Sequence, residues 1–151
     1  MPHLFYCSMI SLLEDYIEHN HRVVSYAQER KHFGTLPGAD AFGQSCCDCA
    51  DDVRIWLNFG HDERVIQVAY YTEGCITSLA AGSALCEMAL GKTTKELMSI
   101  TSEGLNQLLG GLPPSHVHTL QPVLQALKEA VADFVAVKRD SWRRDYRARI
   151  K

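Results

Sequence analysis

Cys49, Asp51, Cys75 and His118 are the side chains whose types and spacing could do chemistry. Cys49 and Asp51 form a Cys-x-Asp pair. Cys75 follows 26 positions after Cys49, directly behind Gly74. His118 comes 43 positions after Cys75, behind Pro113-Pro114. Two thiolates, one carboxylate and one imidazole complete a four-ligand shell for zinc or iron. Cys75 opens a predicted helix after a glycine turn, where free N–H groups and the positive helix end favour thiolate over thiol. His118 opens the last predicted helix after two prolines. Cys49 and Asp51 are two apart in an extended segment, so they share a face. The set closes only if the fold gathers three sequence-distant segments at one edge of a sheet. Asp51 is a hard oxygen donor where a site built for permanence would use thiolates or Cys/His sets, so a metal held through it would be given up readily.

The elements that must position these residues follow from periodicity. Ile10, Leu13, Tyr16 and Ile17, continued by Val23, Val24 and Tyr26-Ala27, predict a helical N-terminal segment over about 1–32. Gly34, Pro37, Gly38 and Gly43 break that pattern, so 33–45 reads as a loop leading to the first site segment. A third strand is expected within 33–48. Val53, Ile55, Leu57 and Phe59 alternate with polar or amphipathic neighbours and predict a half-buried strand. Gly60-His-Asp-Glu is a turn, and Val65 to Thr72 is the antiparallel partner. Ile76 to Leu90 predicts a helix of small and apolar residues stopped by Gly91. Thr93-x-x-Glu96 reads as a capping box, and Ser102 to Leu109 as a short helix ended by Gly110-Gly111. Leu120, Val123, Leu124, Leu127, Val131 and Phe134 mark a long amphipathic helix from about Val117. The expected architecture is α+β in one domain: a small antiparallel three-stranded sheet covered by helices, with a long C-terminal helix.

The segments Cys49-Ala-Asp-Asp-Val-Arg-Ile-Trp-Leu, Thr72-Glu-Gly-Cys75 and Leu112-Pro-Pro-Ser-His-Val-His118 resemble the iron–sulfur cluster assembly scaffolds of the NifU/IscU type. The resemblance runs from about Ser45 to about Phe134. It implies a non-enzymatic scaffold that binds a labile cluster, [2Fe–2S] or iron, and passes it to apoproteins. Cys49, Asp51, Cys75 and His118 would be the ligands, and zinc can occupy the same four. A cysteine desulfurase, an electron donor and recipient apo iron–sulfur proteins are the implied partners. The family usually carries a third cysteine directly after the histidine, and here Thr119 stands in that place. Cys47 is a possible substitute ligand, roughly 7 Å from Cys49 on the same face of an extended chain. The family's chaperone-contacting motif Leu-Pro-Pro-Val-Lys reads Leu112-Pro113-Pro114-Ser115-His116 here, which argues against a dedicated Hsp70-type hand-off. The resemblance also allows a second role, a zinc-bound sulfur acceptor serving a desulfurase, with Cys75 or Cys49 carrying the persulfide. A third is a module that keeps a structural zinc.

Composition narrows the remaining classes. A chain of 151 residues suits one domain with its own core, and a net charge of -3 argues against nucleic-acid binding. Six cysteines without a basic n-region before the apolar Leu4–Leu13 stretch argue for thiol or metal chemistry in the cytoplasm rather than a disulfide framework. No apolar run approaches the ~18 residues of a membrane span. Cys86, eleven residues beyond Cys75, sits about 16 Å further along the same helix and belongs in the core. Cys46 should face away from Cys47 and Cys49, and Cys7 reads as a terminal free thiol. His19 and His21, two apart in a helix, do not share a face. The tail from about 138 to 151 is basic, with seven Lys or Arg against Asp140 and Asp145. Trp142 and Tyr146 lie within it at i, i+4. It reads as a solvated helix end suited to the helix dipole.

Overall fold

The computed structural model describes residues 21–46, 52–73, 76–112 and 117–139. Helix α1 (His21–Glu29) leads to β1 (Ala41–Cys46), β2 (Asp52–Phe59) and β3 (Val65–Thr72). Then come α2 (Ile76–Ala89), α3 (Thr94–Met98) and α4 (Ser102–Leu108). A 3-10 turn (Val117–Thr119) runs into α5 (Leu120–Arg139). The three strands form one antiparallel sheet in the order β1-β2-β3.

Burial of β2 alternates through all its residues, with Val53, Ile55, Leu57 and Phe59 inward. Those residues meet α5, which lies under β1 and β2, while α2 lies under β3 and packs against α1. The sheet is therefore one layer and the helices the other. Phe59 stacks on Phe134 of α5 with ring centroids 4.0 Å apart. Near that end Lys138 of α5 pairs with Glu63 in the β2–β3 turn. In α2 the small residues Ala80, Ala81, Gly82, Ser83 and Ala84 are all buried. A helix wedged between neighbours has no polar stripe, which is why it shows no amphipathic period. Tyr70 of β3 lies against Gly82 and donates its hydroxyl to the Leu79 carbonyl at 3.0 Å.

Two expectations change. The loop predicted over 33–45 ends at Asp40, where the third strand expected within 33–48 begins as Ala41–Cys46. Gly43 is not a breaker: a Cβ there would overlap the backbone of Ala126 and Ala130, so its absence lets β1 approach α5. The last helix opens with the 3-10 turn rather than in α geometry, and becomes α-helical at Leu120. Pro122 falls in the first turn of α5, where its missing N–H leaves no intrahelical bond unmade. The helix stop at Gly91 holds, at φ 78°, and so does the Gly110-Gly111 stop, at 87° and 88°. Thr93 caps α3 by accepting from Glu96 N–H at 3.3 Å, and its hydroxyl donates to Glu96 Oε1 at 3.2 Å. The predicted N-terminal helix is described only from His21, and the basic tail only at Lys138 and the Arg139 backbone.

Candidate functional site

The strand register brings the roots of the site segments to one end of the sheet. Cys46, the last residue of β1, pairs with Asp52, the first of β2. Residues 47–51, which join them, include Cys47, Cys49 and Asp51. Val53 pairs in turn with Thr72, the last residue of β3. Cys75 lies three residues beyond Thr72 and directly before Ile76, the first residue of α2. The 3-10 turn that carries His118 packs against α2 and α5. The end of β1, the start of β2 and the end of β3 thus meet at one pole of the sheet. Cys47, Cys49, Asp51 and Cys75 themselves lie outside the described residues, as do His116 and the prolines before it. Among the described residues no three His, Cys, Asp or Glu side chains gather as a metal site.

His118 and its neighbour divide the surface between them. His118 is exposed on its turn, and Thr119, in the place of the family's third cysteine, keeps 6% of its surface. Cys86 is fully buried, and burial pushes its thiol pKa up. A thiol held protonated in the core neither ligates nor attacks. The side chain of Cys46 is not among those described, nor are Cys7, His19, Trp142 and Tyr146.

One feature of the site's border escaped sequence reasoning. Asp52 is engaged on the outer face of the sheet: it accepts from Gln44 Nε2 at 2.9 Å and from Arg54 Nε at 3.1 Å. Arg54 adds a second contact at 3.0 Å. Of the adjacent pair Asp51-Asp52, the second carboxylate is therefore already held by a guanidinium. The signal was present, since Asp52 and Arg54 are two apart on a strand and so share a face. Arg54 also lies over the Tyr71 ring at 6.0 Å.

A small α+β domain, with a three-stranded antiparallel sheet layered on helices, is the class these features define. The chain belongs to the NifU-like N terminal domain family, whose model matches residues 18–140. It is 31% identical over 114 residues to the iron-sulfur cluster assembly scaffold protein IscU 1 of Archaeoglobus fulgidus, covering 75% of this chain and 74% of that protein. It is 34% identical over 115 residues to the bifunctional protein NifU/MnmA of Rubrobacter xylanophilus. That match covers 75% of this chain but only 24% of the longer relative. The fold is similar to that of a nitrogen-fixing NifU-like protein (N-terminal) from Brucella abortus, with a TM-score of 0.50 at 21% identity, over 83% of this chain and 92% of that one. No helix among the described residues is long and apolar enough to cross a membrane.

Proposed function

We propose that this chain is an iron–sulfur cluster assembly scaffold, and not an enzyme, whose cargo is a labile [2Fe–2S] cluster held by Cys49, Asp51, Cys75 and His118. The carrying observation is the register that pairs Cys46 with Asp52 and Val53 with Thr72, together with the packing of His118's turn on α2, the helix that Cys75 precedes. The name printed for the Archaeoglobus fulgidus relative, an iron-sulfur cluster assembly scaffold protein, supports the same reading.

The donor set fits such cargo. Two thiolates and an imidazole are soft or borderline ligands for iron, and one carboxylate is a weak point through which a cluster can leave. Thr119 cannot replace a thiolate, so four ligands serve the cluster, with Cys47 as the nearest reserve in sequence. The reading takes a cysteine desulfurase as sulfur source, an electron donor, and apo iron–sulfur proteins as recipients. It places the protein in the cytoplasm, where thiols stay reduced.

The test is anaerobic reconstitution with iron, cysteine and a desulfurase, followed by absorption and Mössbauer spectra. It is run on the wild type, Cys75→Ala and His118→Ala. The expected result is a cluster in the wild type that passes to an apo-ferredoxin, and none in either variant. Tight zinc without any cluster would overturn the scaffold reading and leave a sulfur acceptor or a structural zinc module.

A further inference from the structure

The sheet has two edges, and the structure treats them differently. On β3, Tyr70 N–H donates to the His32 carbonyl at 3.0 Å, and its carbonyl accepts from Gly34 N–H at 2.8 Å. Lower on the same edge, Val65 N–H donates to the Lys92 carbonyl at 3.0 Å and its carbonyl accepts from Gly91 N–H at 2.9 Å. On β1, Phe42 N–H donates to Asp133 Oδ2 of α5 at 2.9 Å. That bond shows Phe42 N–H pointing away from β2. The alternation of an antiparallel ladder then turns the N–H and C=O of Gln44 outward too. Among the described residues, no hydrogen bond from another element reaches the Gln44 backbone. Glu129 stands one helical turn before Asp133, and its carboxylate takes Gln125 Nε2 at 3.0 Å instead.

An open edge is a template for another strand, and among the described residues this one is open at Gln44, next to the Phe42 N–H that Asp133 caps. This one lies two residues from the end of β1, where the segment carrying Cys49 and Asp51 begins. Its charge is mainly acidic: between Phe33 and Val53 stand Asp40, Asp48, Asp51 and Asp52, and Arg54, opposite Gln44 in the register, is engaged by Asp52. Glu129 and Asp133 flank it on α5, and Lys128 sits about 100° round that helix from Glu129. Apolar surface borders it as well, since the half-buried rings of Phe42 and Trp56 meet with centroids 5.4 Å apart on the outer face.

We propose that the β1 edge at Gln44 is the docking site for an extended, basic segment of a partner protein, which adds as a fourth strand and brings its parent beside the candidate cluster site. Main-chain bonds to Gln44 supply the attachment, and alternate side chains meet the Phe42–Trp56 rings on one face and the acidic flank of α5 on the other. The functional meaning rests on the scaffold reading, whereas the docking does not.

The probe is a synthetic peptide, Lys-Val-Lys-Phe-Lys-Val-Lys, offered to the full-length apo chain at low salt. Comparison peptides replace Lys by Glu, or carry N-methyl groups at alternate residues. Gln44→Pro removes an N–H that no ladder bond uses, and an edge strand tolerates proline there. Gln44→Ala controls for the lost side-chain bond to Asp52. The lysine peptide should bind and slow hydrogen exchange at the Gln44 amide. Gln44→Pro should weaken binding roughly tenfold relative to Gln44→Ala. The N-methylated and glutamate peptides should fail, and the N-methylated one reads the same bonds without altering the protein. Absence of binding, protection mapped elsewhere, equal binding of the glutamate peptide, or indifference to both Gln44→Pro and N-methylation would overturn the proposal. So would a dimer that protects Gln44 without peptide. Failed peptide binding with intact cluster loading removes only the docking site, and the reverse result removes only the scaffold reading.

Discussion

Gly43 of β1 and Ala126 of α5 touch backbone to backbone: a Cβ on Gly43 would overlap the Ala126 carbonyl oxygen and the Ala130 amide nitrogen. Neither obstacle can rotate away as a side chain would. Gly43→Ala should therefore push α5 off β1 and cost about 3 kcal/mol or more. Gly91→Ala is the contrast, because open space surrounds it and only its positive φ resists, at about 1 kcal/mol. Urea unfolding of both variants checks the order. Equal losses would mean that the β1–α5 contact yields easily.

The buried pair Cys86 and Tyr70 sets an alkaline limit. Burial pushes the Cys86 thiol up, and it pushes Tyr70 up to about 12, with the charge of Cys86 adding to the shift. In the unfolded chain these groups titrate near pH 8.5 and 10. Below about pH 8 both states hold the protons, and stability does not depend on either group. Above it the unfolded chain releases protons first, so stability falls, by up to about 1.4 kcal/mol per pH unit for each group. Between pH 7.5 and 9.5 Cys86 should thus cost about 1.4 kcal/mol. Cys86→Ala should lose that much less than the wild type over the interval. Parallel pH dependence of the two proteins in urea titrations would refute a neutral, buried Cys86.

β2 and β3 were legible because one buried face forces a period of two, and Val53, Ile55, Leu57 and Phe59 write it out. β1 was not. Its inward positions are Ala41, Gly43 and Ser45, small because α5 comes so close, so no apolar alternation marks the strand. Local glycine grammar suggested a break, and a long-range contact required the same residue. The types and order of the candidate ligands were legible, since chemistry restricts which residues bind metal. Asp52's engagement with Arg54 and Gln44 was not read, because Gln44 reaches it only through the register of a strand whose bounds the sequence hides. The 3-10 opening before α5 also lay beyond periodicity, which finds a helix but not its first turn.

Thr119 offers a test of that turn. It is buried beside the exposed His118, in the position where the family usually has its third cysteine. Thr119→Cys should fold and carry a thiol that stays unmodified in a brief iodoacetamide pulse, as Cys86 should, yet reacts once urea is added. Peptide mass mapping separates the two from the other thiols. Rapid native labelling at position 119 would mean that the turn presents this residue outward, together with His118.

The lability of the cargo should reside in Asp51. On the proposed reading it is the one hard donor among softer ligands, and the neighbouring Asp52 is occupied by Arg54. Asp51→Cys keeps four ligands and makes the third a thiolate. The variant should still load a cluster, with a spectrum shifted toward fuller thiolate ligation, and should release it to an apo-ferredoxin at least roughly tenfold more slowly. Asp52→Cys should leave the transfer rate unchanged, because its side chain is on the Arg54 face. Transfer followed by circular dichroism of the ferredoxin gives the rate. Unslowed release from Asp51→Cys would show that the carboxylate is not what lets the cluster go, and would shift the cause to the missing thiol at position 119.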